Sequence, residues 1–289
     1  MIVRVSQVVH IVAGLLLAVG TAGANTGDAR NGKVVFEHNC VICHGAQGDG
    51  QGDAANYMST KPRDYRQGTF KWRTTPSGSL PLDSDLDHTL RNGIFGTYMP
   101  SWRSLDEQSR SDVIAYIKTF SSRFASEKPE QPIVIPPDPG YGDESVIRGA
   151  AIYQKYNCSQ CHGTGGRGDG PSANELKNDW GNDIVPYDLT KGHVKCGDTP
   201  ADIYRVFMTG LSGTPMPGFA DSMSPTDAWD LVHFIQSLSP RYDKNYAAAA
   251  RPPERHSGIV PIGFALAYVT LFVWILPIGR RQSGSSDRG

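Results

Sequence analysis

Asn39-Cys40-Val41-Ile42-Cys43-His44-Gly45 returns as Asn157-Cys158-Ser159-Gln160-Cys161-His162-Gly163, about 118 residues further along the chain. The segments around it return as well. Gly93-Ile94-Phe95-Gly96-Thr97-Tyr98-Met99-Pro100 recurs as Gly210-Leu211-Ser212-Gly213-Thr214-Pro215-Met216-Pro217. Val113-Ile114-Ala115-Tyr116-Ile117 recurs as Leu231-Val232-His233-Phe234-Ile235, and Arg123-Phe124 as Arg241-Tyr242. A unit of about 100 residues, the size of a small domain, therefore occurs twice.

Between the copies, residues 126–143 hold Pro129, Pro132, Pro136, Pro137 and Pro139. Prolines at that density exclude a helix and predict an extended, semi-rigid connector. Helix signals fall at matching places in the two copies. Ser104-x-x-Glu107 and Ser224-Pro225-Thr226-Asp227 precede the apolar C-terminal runs as capping patterns, the second with Pro at the first helical position. Thr199-Pro200-Ala201-Asp202 opens a short helix stopped by Gly210, and residues 83–92 do the same before Gly93. No alternating run argues for a sheet. The expected fold class is mostly α, with two tandem domains at 25–125 and 144–243 and Gly-rich loops at 48–52 and 163–170.

The two ends of the chain have a different character. Residues 1–24 place Arg4 before an apolar run at 8–19 and finish on Ala22-Gly23-Ala24, the pattern of an export signal peptide. Residues 258–279 carry no charge and as a helix would reach about 33 Å, enough for a hydrocarbon core of about 30 Å. Arg280 and Arg281 follow at once and favour a cytoplasmic tail at 280–289. Residues 244–257 read as a second linker, in which the run at 247–250 could be helical until Pro252-Pro253 ends it. The expectation is a single-pass anchor in the cytoplasmic membrane, in contact with its lipid bilayer, with both domains on the periplasmic side.

Cys-x-x-Cys-His is the spacing of c-type haem attachment. Two thiols one helical turn apart can each add to a vinyl group of one porphyrin, and the following imidazole then faces the iron. A zinc knuckle or a redox dithiol would use the same residue types, but a zinc site would want further Cys or His pairs. Two such motifs at matching places in a repeat predict two covalently bound haem c groups. Met99 and Met216 sit at nearly the same distance beyond His44 and His162, and each precedes a Pro. That registration singles them out from the other methionines, of which Met58, Met208 and Met223 have no counterpart and read as packing.

With these motifs in place, residues 28 to 243 resemble the tandem class I cytochromes c, twice over. The resemblance implies that Cys40 and Cys43 anchor one haem, with His44 as proximal and Met99 as distal iron ligand. It implies the same roles for Cys158, Cys161, His162 and Met216 at the other, and the Gly-Thr-x-Met-Pro setting of both methionines is similar to the family's ligand loop. Cys196 is left over and, since Lys195-Cys196 aligns with Lys71-Trp72, reads as a packing residue. His38, His88, His193 and His233 lack histidine partners in the repeat, which disfavours bis-histidine ligation.

A formal net charge of -1 gives no footprint for nucleic acid. Iron held by His and Met has no open position, and the thioether favours the ferrous state, so the expected function is electron transfer rather than catalysis. A dihaem cytochrome c peroxidase is the enzymatic alternative. It needs one iron that can open to peroxide, whereas both copies keep Gly-Thr-x-Met-Pro. The expected partners are redox proteins or a membrane respiratory complex of which this chain is a subunit.

Overall fold

The computed structural model describes residues 26–242 apart from 196 and 198. The expected signal peptide, Cys196, the expected second linker and the expected membrane span at 258–279 lie outside the described residues. Among the described residues, no helix is long and apolar enough to cross a membrane.

The first copy comprises α1 (Ala29–Asn39), α2 (Val41–His44), α3 (Asp83–Asn92), α4 (Glu107–Lys118) and the single turn α5 (Arg123–Ser126). The second comprises α6 (Asp143–Lys155), α7 (Cys158–His162), α8 (Pro200–Thr209) and α9 (Pro225–Ser237). Strand pairing among the described residues is limited to one isolated bridge, Lys177 to Asp183. In each copy the first and last long helices cross in close contact, α1 on α4 and α6 on α9. Glycine makes the crossings possible. A Cβ on Gly32 would overlap the Asp112 carbonyl, and one on Gly149 would overlap that of Asp230. Around the crossings lie two separate cores. One gathers Phe36, Leu86, Leu90, Val113, Ile114 and Ile117, the other Ile152, Ile203, Phe207, Leu231, Val232 and Trp229.

Local signals explain most helix boundaries. The Thr199 side chain accepts from the Asp202 amide, with Pro200 at the first position, and Gly210 closes α8 at φ 70°. Ser224 caps α9 in the same way through the Asp227 amide. The expected Ser104 cap of α4 is corrected: Asp106 is the cap, its carboxylate accepting from the Ser109 amide at 2.7 Å. A carboxylate at that position also complements the helix dipole, which Ser104, two residues too early, could not do. In α3 the buried Asp85 turns back to accept from the Leu82 amide at 2.9 Å and from the Thr74 hydroxyl at 2.9 Å.

The proline-rich connector is extended, as expected, but it is docked rather than free. The Glu130 amide donates to Ser79 Oγ and the Ile133 amide to the Thr74 carbonyl, both in the first copy. Trp229 Nε1 then donates to the Pro136 carbonyl at 3.1 Å, and the fully buried His233 bridges Asp138 and Ser145 at 3.1 and 2.9 Å. The same strap is thus fastened to both copies.

The copies also meet directly. Arg73, almost fully buried, donates to the Phe70 and Pro76 carbonyls of its own copy and to the Thr209 carbonyl at the end of α8. Trp72 stacks on His88 of α3 at 4.1 Å, and the Arg205 guanidinium of α8 lies 5.1 Å from the same ring centroid. His88 and Arg205 occupy corresponding positions, five residues before Gly93 and Gly210. Phe95, beside Met99, packs on His193 at 4.9 Å. Arg63 lies against Gly213, beside Met216. Each methionine loop therefore touches the opposite copy.

Candidate cofactor sites

The two Cys-x-x-Cys-His motifs fold as short helices held from behind by the Gly-rich loops. Gly52 and Gly50 donate their amides to the Cys43 and His44 carbonyls at 3.1 and 2.9 Å. Gly170 and Gly168 do the same for Cys161 and His162 at 3.2 and 2.9 Å. A side chain is excluded there. A Cβ on Gly52 would overlap the Ile42 carbonyl, and one on Gly170 the Gln160 carbonyl. Cys40, Cys43, Cys158 and Cys161 are all unbridged thiols. Burial pushes the Cys40 thiol up to about 12 and Cys158 up to about 11, so both are protonated at neutral pH.

Each motif histidine is oriented by a backbone carbonyl. His44 Nδ1 donates to the Arg63 carbonyl at 3.1 Å, and His162 Nδ1 to the Tyr187 carbonyl at 3.2 Å. A carbonyl only accepts, so the proton is on Nδ1 and the lone pair on Nε2, the tautomer a metal needs. Burial lowers both imidazoles, His44 to about 4, and keeps them neutral. At His44 the Tyr65 hydroxyl donates to Nε2 at 3.1 Å, within a stacked pair whose centroids are 4.7 Å apart.

The methionine loops are built alike. In the first, Ile94 N donates to the Met99 carbonyl at 3.0 Å, and the Thr97 hydroxyl donates to the Ile94 carbonyl and accepts from the Met99 amide. Leu211, Thr214 and Met216 repeat all three bonds. The threonine of Gly-Thr-x-Met thus ties the loop on the methionine itself.

One continuous cavity of about 710 Å³, lined chiefly by aromatic and aliphatic side chains, takes in all eight expected residues. Cys40, Cys43, His44 and Met99 line its first part, and Cys158, Cys161, His162 and Met216 its second. Among the described residues its only histidines are His44 and His162. His38, His88, His193 and His233 stand elsewhere. Met208 and Met223 are buried in the second core as expected, but Met58, expected to be packing, is at the cavity wall. The donor set and the buried apolar walls suit a porphyrin held by two thioethers. A zinc knuckle is less well served, because no three His, Cys, Asp or Glu side chains among the described residues converge on a common point.

Sequence reasoning missed Arg63, Tyr65 and Tyr187. The reason is a change of offset. Tyr65 N bonds Gly48 O and Leu189 N bonds Gly166 O, each at 2.7 Å, so Arg63 corresponds to Tyr187 and Tyr65 to Leu189. The Lys71 and Lys195 alignment already carried that longer spacing, and following it back would have paired them.

Two tandem domains of this build define a class of covalent haem proteins. Residues 29–121 and 146–239 both match the cytochrome c family, and the chain belongs to it. Cytochrome c domains imply covalently bound haem c and electron transfer. The chain is 24% identical over 212 residues to the cbb3-type cytochrome c oxidase subunit FixP of Azorhizobium caulinodans, covering 72% of this chain and 58% of that protein. It therefore spans less than two thirds of that relative. Among solved structures, a chain of the Kuenenia stuttgartiensis reducing HAO-like protein complex matches with a TM-score of 0.72 and 41% identity. The match covers 73% of this chain and 97% of that one.

Proposed function

We propose that this protein is a membrane-anchored, periplasmic two-haem electron relay that works as a subunit of a larger oxidoreductase complex. The observation that carries this reading is the shared cavity, lined by two complete Cys, Cys, His, Met sets. When bound, each haem supplies a one-electron ferric–ferrous couple. Cys40, Cys43, Cys158 and Cys161 would anchor the two groups. His44 and His162, held by the Arg63 and Tyr187 carbonyls, would present Nε2, and Met99 and Met216 would complete the coordination. Both methionine loops carry the same threonine tie, so neither is built to release its ligand, which favours relay over peroxidase chemistry. The uncharged 258–279 segment followed by Arg280-Arg281 supports the anchor. The relatives, one an oxidase subunit and one a chain of a redox complex, support docking to a larger enzyme.

Mass spectrometry of the denatured protein should show two haem additions on a chain beginning near Asn25. Detergent-solubilised membranes should yield it together with a redox enzyme. A single haem would overturn the two-site reading, and solitary purification would overturn the subunit reading.

A further inference from the structure

Arg63 touches both sites. Its carbonyl holds His44 in the first domain. Its side chain leaves that domain, laying the guanidinium carbon 4.5 Å from the centroid of the Trp180 ring in the second. Nη1 comes to 2.9 Å from where a Cβ on Gly213 would stand, in the loop that carries Met216. That nitrogen is closed off from water and has no hydrogen-bond partner, although Arg63 borders the cavity. The acidic groups nearby do not serve it. Asp64 gives both its oxygens to Arg66, and Asp179 contributes only at a distance. Arg205 Nη1 also lacks a hydrogen bond but has a carboxylate, that of Asp202, 2.8 Å away, and Arg73 is matched by three carbonyls, whereas Arg63 has neither. A guanidinium nitrogen left unmatched and closed off from water calls for an anion with oxygen acceptors. The corresponding residue of the second domain, Tyr187, carries no charge.

We propose that Arg63 is a cross-domain clamp, rooted in the first domain and binding a propionate carboxylate of the haem in the second. The proposal rests on the two-haem reading. A cation there opposes the extra positive charge of ferric iron, so it raises the second potential. It also places the backbone support of one iron ligand and the charge compensation of the other haem on a single residue.

The test is spectroelectrochemical titration of the holoprotein and its Arg63→Leu and Arg63→Lys variants. The second-domain wave is assigned as the one that Met216→His moves. Arg63→Leu should lower that wave more than the other, and Arg63→Lys should restore part of the shift. Two haems by mass and an intact long-wavelength thioether band in both variants would show that the sites themselves survive. Unchanged waves, or a shift confined to the first domain, would overturn the clamp while leaving the two-haem reading standing. Fewer than two haems in the unmodified protein would overturn that reading instead. Should Arg63→Leu not fold, Arg63→Lys decides through the reduced-minus-oxidised infrared difference spectrum. A displaced propionate band supports the clamp, and one at the unmodified frequency overturns it.

Discussion

At the scale of single residues, duplication provides an internal control. Met99 and Met216 sit in loops with the same three hydrogen bonds, so equivalent substitutions should have equivalent effects. Met99→His and Met216→His should each remove about half of the long-wavelength ferric charge-transfer band and lower one potential. A native spectrum without that band would refute both assignments. The eight cavity-lining positions proposed as ligands and anchors could be singled out because each belongs to a short motif that repeats. Arg63 was not, since its partners Trp180 and Gly213 lie more than a hundred residues away and nothing local marks it. Tyr65 was hidden by its replacement with Leu189 in the other copy, which removes the repetition that would have drawn attention to it.

At the scale of elements, the helix crossings bear the strongest constraint. An exposed helix would gain about 1 kcal/mol from Gly→Ala through propensity. At Gly32 the added methyl would instead collide with the Asp112 carbonyl, so Gly32→Ala should destabilise by about 1–3 kcal/mol. The sign in a denaturant titration followed by circular dichroism decides, and a stabilised variant would mean that α1 and α4 do not cross as described. Two caps, Thr199 and Ser224, were readable because each is followed at once by a Pro at the first helical position. Ser104 misled because Ser-x-x-Glu matches the pattern while Asp106, nearer the helix, competes successfully for the same amides. The connector was read correctly as extended. Its docking was not readable, because it depends on Trp229 and His233 reaching it from α9.

At the scale of the whole molecule, both Cys-x-x-Cys-His motifs and both methionine loops precede the proposed anchor at 258–279, so that anchor should be separable from the chemistry. Truncation after Ser257 should release a soluble protein with unchanged haem spectra. It should also slow electron delivery to a membrane-bound acceptor, because tethering raises effective concentration. Retention in salt-washed membranes would count against the anchor at 258–279, and peroxide turnover at enzymatic rates would count against a pure relay. The interface has a further consequence. His88 and Arg205, at corresponding positions, meet on the Trp72 ring, and each methionine loop leans on the opposite copy. A surface that meets its own counterpart is the mark of an isologous homodimer, here written on one polypeptide. Residues 26–126 produced alone should therefore pair with themselves to cover the bared face, and sedimentation would show it. A strictly monomeric first half would mean that the two copies have diverged too far to recognise their own likeness.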